Sequence, residues 1–217
     1  MERLLSKALD DALVPEEDEI LPLHDISKDR VYTFDGVNYV KAVTWIDNTY
    51  LQNWKDALKK SDKQYTLPFS VPIWLTIVPQ MQDFCSSTFF QSEKDMELRL
   101  KQKLGLNYKK IYSHFVEVYV PLSHLRRPCM NPDVGFTTCP PCAAETGSDS
   151  QARLYYKWRQ NINGEVEFPV PFTGLGYTYD WGPGDSEVGF SEFVFISDGV
   201  TPLLVESVNT TLDYCTK

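Results

Sequence analysis

Apolar residues recur at intervals of three and four at four places in the first three quarters of the chain. Such spacing brings them onto one face of a helix and predicts an amphipathic helix at each place. The apolar stripes run over Leu4–Leu13, Leu51–Leu58, Met96–Leu104 and Leu154–Ile162. Gly105 and Gly164 follow the last two stripes, and glycine is the residue that most often ends a helix.

Other segments carry the composition of strands. Asp35-Gly36 separates two β-rich runs and favours a type I′ hairpin turn, because both residues tolerate positive φ. The run "IYSHFVEVYV" predicts a strand over Ile111–Val120. The apolar segment Pro68–Pro79 is interrupted by prolines, which predicts an edge strand or a strand that enters the core late. From Glu165 onward the pattern predicts short strands and turns.

Helical patterns lie mainly in the first three quarters, whereas the last quarter is β-rich. Because strands and helices do not alternate regularly, we expect an α+β fold with a single domain and a mostly antiparallel sheet. Residues 1–20 are predicted to form an N-terminal amphipathic helix followed by the acidic linker "PEEDEI". Residues 21–217 would then form the single α+β domain.

The charge of the chain limits its partners. The 217 residues include 21 Lys and Arg against 30 Asp and Glu, a formal net charge of −9. A nucleic-acid partner would need a concentrated basic face, so we expect a protein partner or a small-molecule ligand instead. No apolar run approaches the length of a membrane span, and the N-terminus lacks the apolar stretch of a signal peptide. The expected location is the cytoplasm, without membrane contact, which leaves signal-independent delivery open.

Five cysteines form an odd set, so a fully paired disulfide framework is excluded. Free thiols are the default expectation in a reducing compartment, and a zinc site or a disulfide are the alternatives. The zinc ligands would be Cys129, Cys139, Cys142 and His124, in which the Cys-x2-Cys pair supplies one side of a tetrahedral site. Cys85 and Cys215 are the alternatives to His124 as the fourth ligand. No other cofactor is indicated.

The stretch "GYTYDWGPGDSEVGFSEFVF" concentrates aromatic and acidic residues. If residues 187–195 form one strand, Glu192 is the single charge on a face with Val188, Phe190 and Val194. An unpaired carboxylate there would have a raised pKa, which is how a general acid or a ligand-orienting group is made. The structural alternative is a salt bridge from Glu192 to Arg126 or Arg127.

Two further groups in this stretch are candidates for ligand binding. Asp180 precedes a Gly-Pro-Gly turn, where aspartate usually caps its own backbone. Tyr177 and Tyr179 share a strand face, and with Trp181 they could grip a flat cationic or nucleoside-like ligand. Cross-strand packing of the tyrosines is the alternative.

Three segments, "VEVYVPLSHLRRPC", "FTGLGYTYDWG" and "SEVGFSEFVF", together with a later "DYC", resemble a family of bacterial proteins of unassigned function. That family has Arg-Pro-Cys, Gly-Tyr-Thr-Tyr-Asp-Trp and Ser-Glu-Phe elements in this order. The resemblance implies that Cys129, Asp180, Glu192 and Cys215 belong to one constellation. It implies no activity.

The sequence shows no nucleophile elbow, phosphate loop or zinc-protease motif. We therefore expect a binding or interaction protein with an aromatic and acidic pocket around Tyr179, Asp180 and Glu192. The segment "SEFVFISDGVTPLLVESV" is similar to the glutamate strand of ADP-ribosyltransferase toxins. This gives one alternative, an NAD transferase or glycohydrolase with Glu192, Asp180 and Arg127 as catalytic residues. A zinc-stabilised scaffold is the other alternative.

Overall fold

A computed structural model describes residues 1–139, 167–184 and 186–216. Within these ranges the chain has five α-helices: α1 (Glu2–Asp11), α2 (Leu51–Lys59), α3 (Gln80–Ser87), α4 (Glu93–Lys103) and α5 (Thr211–Cys215). The predicted helix over Leu154–Ile162 lies outside the described residues. None of the five helices is long and apolar enough to cross a membrane.

Ten strands lie within the same described ranges. They are β1 (Tyr32–Phe34), β2 (Val37–Ile46), β3 (Gln64–Tyr65), β4 (Pro72–Ile77), β5 (His114–Pro121), β6 (Leu125–Arg126), β7 (Tyr177–Tyr179), β8 (Val188–Ser191), β9 (Phe193–Ile196) and β10 (Leu203–Thr210). All of the strand pairs are antiparallel. The predicted α+β class, with a mostly antiparallel sheet and strands in the C-terminal part, is confirmed.

The described chain forms two compact units. Unit 1 comprises Met1–Ile26, Lys94–Lys110 and Arg127–Glu192, and unit 2 comprises Ser27–Glu93, Ile111–Arg126 and Phe193–Lys217. The division into residues 1–20 and 21–217 stays a prediction. Within the predicted linker, the chain makes a short 3-10 helix over Glu17–Glu19.

Unit 2 contains an eight-stranded sheet in the order β3-β10-β5-β2-β4-β9-β6, with β1 added alongside β2. Val116, Val118 and Val120 of β5 are fully buried at its centre. The segment Pro68–Pro79 contains β4, for which an edge position is one of the two expectations. The edge position is wrong, because β4 pairs with β2 on one side and with β9 on the other. Pro72 is tolerated there because it is the first residue of the strand.

The predicted hairpin between β1 and β2 is confirmed. Asp35 and Gly36 have φ values of 49° and 77°, as a type I′ turn requires, and Phe34 pairs with Val37 across the turn.

A buried carboxylate lies on one face of the sheet in unit 2. Glu117 is only 5% exposed, and its Oε2 accepts hydrogen bonds from Ser207 Oγ at 3.0 Å and from Lys41 Nζ at 3.0 Å. Gln82 of α3 donates to the other oxygen at 3.5 Å. Because three strand and helix positions converge on one charge, Glu117 ties β2, β5, β10 and α3 together.

Unit 1 contains α1, all but the first residue of α4, and a two-stranded ribbon of β7 and β8. A small apolar cluster consists of Leu23, Cys129, Cys139, Leu175 and Tyr177. The ribbon packs closely on α4, since a side chain at Gly189 would collide with Thr178 and with the backbone of Lys103. This position therefore accepts only glycine.

The Lys41–Glu117 ion pair generates a testable expectation for unit 2. Lys41→Met should lower the free energy of unfolding by about 2–3 kcal/mol, because it leaves Glu117 buried without a cation. This loss of stability is at or below the low end of the range for breaking a buried ion pair, because the Lys41 side chain is 23% exposed to solvent.

Lys59→Met is the matched control, because Lys59 forms an exposed ion pair with Asp56. This substitution should change the free energy of unfolding by less than about 1 kcal/mol. Urea unfolding of the two variants gives the comparison. Equal effects would contradict a stabilising role for the Glu117 pair.

Candidate functional site

Unit 1 contains all six residues that the sequence nominates for catalysis or ligand binding: Arg127, Tyr177, Tyr179, Asp180, Trp181 and Glu192. Their surroundings, and the contacts that their polar atoms make, differ from one residue to the next.

Asp180 forms a bidentate ion pair with α4. Arg99 donates from Nη1 to Oδ1 at 2.8 Å and from Nη2 to Oδ2 at 2.7 Å, and Lys103 Nζ lies 3.5 Å from Oδ2. The expected capping turn is also present, because the Gly182 backbone N–H donates to Oδ1 at 3.0 Å. The Asp180 side chain is 5% exposed. Its oxygens are therefore occupied by the cations of α4 and by its own turn.

The aromatic candidates direct their polar atoms into the protein. Trp181 Nε1 donates to the Leu106 carbonyl at 3.0 Å, and the Tyr177 hydroxyl donates to the Glu19 carbonyl at 3.1 Å. Trp181 and Tyr177 are 3% and 4% exposed. Burial raises the pKa of Tyr177 well above its usual range.

Arg127 is fully buried and binds backbone carbonyls. Its Nε donates to Phe136 O at 2.8 Å and its Nη2 donates to His24 O at 2.6 Å. Burial lowers the pKa of Arg127 to about 10, so the guanidinium keeps its charge at pH 7. These contacts hold the segment after β6 against residue 24, and Arg127 forms no ion pair with Glu192.

The cysteines differ from the default expectation. Cys129 is bonded to Cys139, and Cys85 is bonded to Cys215, so free thiols are wrong for these four residues. A disulfide requires two cysteines whose Cα atoms lie close together in space, which the spacing in the sequence does not reveal. The Cα–Cα distance is 6.2 Å for Cys129 and Cys139 and 5.0 Å for Cys85 and Cys215.

A bonded sulfur offers no thiolate to a metal, so Cys129 and Cys139 cannot ligate zinc in this state. Cys142 lies outside the described residues. His124 belongs to unit 2, where its Nε2 lies 3.3 Å from Asp198 Oδ2. The predicted zinc site is thus left with two of its four named ligands, fewer than a tetrahedral structural site uses.

Glu192 stands where the chain passes from β8 to β9. The single strand predicted over residues 187–195 is wrong: β8 pairs with β7, whereas β9 pairs with β4 and β6. The backbone N–H of Glu192 donates to Gly176 O at 2.9 Å.

The carboxyl group of Glu192 has no hydrogen-bond or ion-pair partner among the residues that the structure describes. The residue keeps part of its surface accessible, but protein atoms surround the carboxyl densely, and this burial raises its pKa to about 8. The charged form is disfavoured because burial removes water without supplying a cation. Glu192 is therefore a neutral acid at pH 7 with free hydrogen-bonding capacity.

Sequence reasoning missed a group of three carboxylates. One oxygen each of Asp11, Glu19 and Glu187 lies within 4.8 Å of the others. The Tyr179 hydroxyl lies between them, 2.7 Å from Asp11 Oδ2 and 3.0 Å from Glu187 Oε2. The acidic residues are visible in the sequence, but nothing in it indicates that α1, the 3-10 helix and the residue before β8 come together.

Glu19 and Glu187 share a proton in a hydrogen bond between their carboxyl groups. A hydrogen bond with Glu19 and partial burial raise the pKa of Glu187 to about 7, while the bond from Tyr179 opposes the rise. Three negative charges at this separation repel one another, and retaining a proton relieves the repulsion. Tyr179, nominated for ligand binding, therefore uses its hydroxyl within the protein.

In comparisons with known proteins, no family model matches the chain. No curated protein matches it in sequence, and no solved structure matches it either.

The ion pair of Asp180 predicts a structural role for that residue. Asp180→Asn should lower the free energy of unfolding by about 3 kcal/mol, because Arg99 and Lys103 then face a neutral amide. Asp56→Asn, which alters an exposed pair, should have an effect within about 1 kcal/mol. Denaturant unfolding measures both, and an Asp180→Asn protein as stable as the wild type would contradict the structural role.

The raised pKa of Glu187 predicts a pH dependence with a defined sign. A group whose pKa is higher in the folded protein stabilises the fold fully below pH 4.5, and this stabilisation is lost as pH rises to about 7. Glu187→Gln removes the titrating group. The melting temperature of the wild type minus that of Glu187→Gln should therefore fall by a few degrees between pH 4.5 and 7. A flat or rising difference would contradict the shared proton.

Proposed function

We propose that this protein is a binding protein, and that the carboxyl group of Glu192 contacts its ligand. The observation that supports the proposal is the unpaired carboxyl with a pKa of about 8. A carboxyl group that protein atoms screen from water is destabilising when it has no partner, so its presence calls for another use. Glu192 offers such a use, because part of the residue is accessible.

The protonation state of Glu192 suggests the ligand chemistry. At pH 7 a carboxylic acid presents one O–H donor beside one C=O acceptor. A primary amide presents the complementary pair, a C=O acceptor beside an N–H donor. We propose a small molecule or a partner segment carrying such a group.

The wider pocket that the sequence suggests receives less support than Glu192 alone. Tyr179 bonds Asp11 and Glu187, and Asp180 bonds Arg99. A ligand would have to displace these short, charge-assisted contacts to use either residue. The proposed site is therefore centred on Glu192.

The contacts weigh against an NAD transferase or glycohydrolase. Stabilising an oxocarbenium ion requires a charged carboxylate, whereas a pKa of about 8 keeps Glu192 neutral at pH 7. The other two proposed catalytic residues are occupied, Asp180 by Arg99 and Arg127 by backbone carbonyls.

The two disulfides are evidence on the cellular compartment of the protein and on the alternative of a zinc-stabilised scaffold. Two disulfides persist more readily in an oxidising compartment than in the cytoplasm that the sequence suggests. We propose that both disulfides form in such an oxidising compartment. They supply the covalent cross-links that a structural zinc ion would otherwise provide.

Binding is tested with acetamide and nicotinamide as probes, by ligand-observed NMR and thermal shift. The wild type should respond to a probe below pH 8, and the response should weaken as Glu192 ionises above that pH. Glu192→Gln retains a donor beside an acceptor and should bind without this pH dependence, whereas Glu192→Leu should not bind. No response of the wild type between pH 5 and 9, or equal responses of wild type and Glu192→Leu, would contradict the proposal.

A further inference from the structure

We propose that the Cys85–Cys215 disulfide is a redox-operated clasp. It holds α5 over an aromatic face of the sheet in unit 2, and reduction by a dithiol releases the helix.

The helix α5 covers a small part of the sheet, and its contacts there are mainly with aromatic side chains. The Tyr214 ring lies 4.5 Å from the ring of Phe115, and Thr211 Oγ1 accepts a hydrogen bond from Trp45 Nε1 at 2.9 Å. Beneath the helix, Phe115 and Trp45 stack at 5.3 Å and are 1% and 7% exposed. Removing α5 would therefore uncover two large aromatic side chains.

The same helix carries a polar group that its docked position leaves unsatisfied. Tyr214 is 1% exposed, and its hydroxyl has no hydrogen-bond partner within the described ranges. Burial and the nearby charges of Glu117 and Asp83 raise its pKa above the usual range. Water would bond this hydroxyl if α5 moved away, so the docked position is opposed by the lost hydrogen bond.

Intrinsic helix stability cannot hold α5 in place. A segment of five residues is far too short to be helical by itself in water, so its order depends on what it contacts. The disulfide supplies the additional constraint, because Cys215 follows Tyr214 directly and is bonded to Cys85 of α3, 130 residues away in sequence.

The two cysteine residues of this disulfide differ in exposure, which indicates which one a reductant reaches first. Cys85 is 5% exposed, whereas Cys215 is partly accessible. A thiolate of the dithiol attacks Sγ of Cys215, and Cys85 leaves as a thiolate that takes up a proton. The second thiol then attacks the mixed disulfide, which releases Cys215 as a thiol and the reagent as a cyclic disulfide. Two electrons and two protons pass from the dithiol to the protein.

The other disulfide is a matched control within the same chain. Cys129 and Cys139 are 0% and 2% exposed and lie in the apolar cluster of unit 1. They are ten residues apart, so their bond fixes one loop. Its sulfurs are shielded from a reagent that reaches Cys215.

Amide hydrogen exchange on the full chain tests the clasp, with dithiothreitol as the reductant. Reduction, or the double change Cys85→Ser with Cys215→Ser, should speed exchange in the peptide spanning α5 by about tenfold or more. Exchange in β7 and β8 should stay unchanged. The double change Cys129→Ser with Cys139→Ser should leave α5 as protected as in the oxidised wild type.

Tyr214→Phe separates a switch from a merely structural cross-link. The change removes the unpaired hydroxyl but keeps the ring on Phe115, so reduced Tyr214→Phe should protect α5 about tenfold better than the reduced wild type. Three results would overturn the proposal: unchanged α5 exchange on reduction, equal exchange in reduced wild type and Tyr214→Phe, or exchange rising throughout both units as the whole chain unfolds.

Discussion

The carboxyl groups described in the interior of this protein either pair with a cation or retain a proton. In unit 1, Arg99 of α4 holds both oxygens of Asp180 at the end of β7. In unit 2, Lys41 and Ser207 hold Glu117 in the middle of the sheet. Each pair fixes elements that are far apart in sequence, because breaking it would leave a buried charge uncompensated. The arrangement of the strands around both carboxylates depends on this constraint.

Two carboxyl groups meet the same constraint by retaining a proton. Glu187 does so because Glu19 and Asp11 lie beside it, and Glu192 does so because burial leaves it without a cation. The two carboxyl groups differ in the hydrogen-bonding capacity that they leave available to a ligand. The proton of Glu187 is shared within a group of acids, whereas the Glu192 carboxyl keeps its hydrogen-bonding capacity for another molecule. This difference is why the proposed site is centred on Glu192 although Glu187 has more polar neighbours.

Local signals in the sequence predict local structure well. Asp35-Gly36 predicts the hairpin because positive φ is a property of those two residues alone. The apolar stripe ending at Gly105 predicts α4, and Gly105 has the positive φ of a helix end, 64°. The helix α3 was missed, because its "QMQDFCSS" has no clear apolar stripe and follows a proline-rich segment.

Features that depend on distant contacts could not be predicted. Alternation places Glu192 on one continuous strand, but the chain changes pairing partners at that residue, which only the tertiary structure reveals. Asp180 was nominated for its aromatic neighbours, whereas its partner Arg99 is 81 residues away. The cysteines show the same limit, since Cys85 and Cys215 are 130 residues apart. Asp180, Cys85 and Cys215 look available in the sequence, but each is bonded to a residue far away in the chain.

The central claim is that Glu192 is a neutral acid at pH 7, and its carboxyl resonance tests this most directly. The protein is labelled with ¹³C at the glutamate carboxyl, and the signal absent from Glu192→Gln is followed from pH 4 to pH 10. A midpoint near 8 is the predicted result. A midpoint near the ordinary glutamate value of about 4.3 would show that Glu192 is charged at neutral pH and would contradict the account.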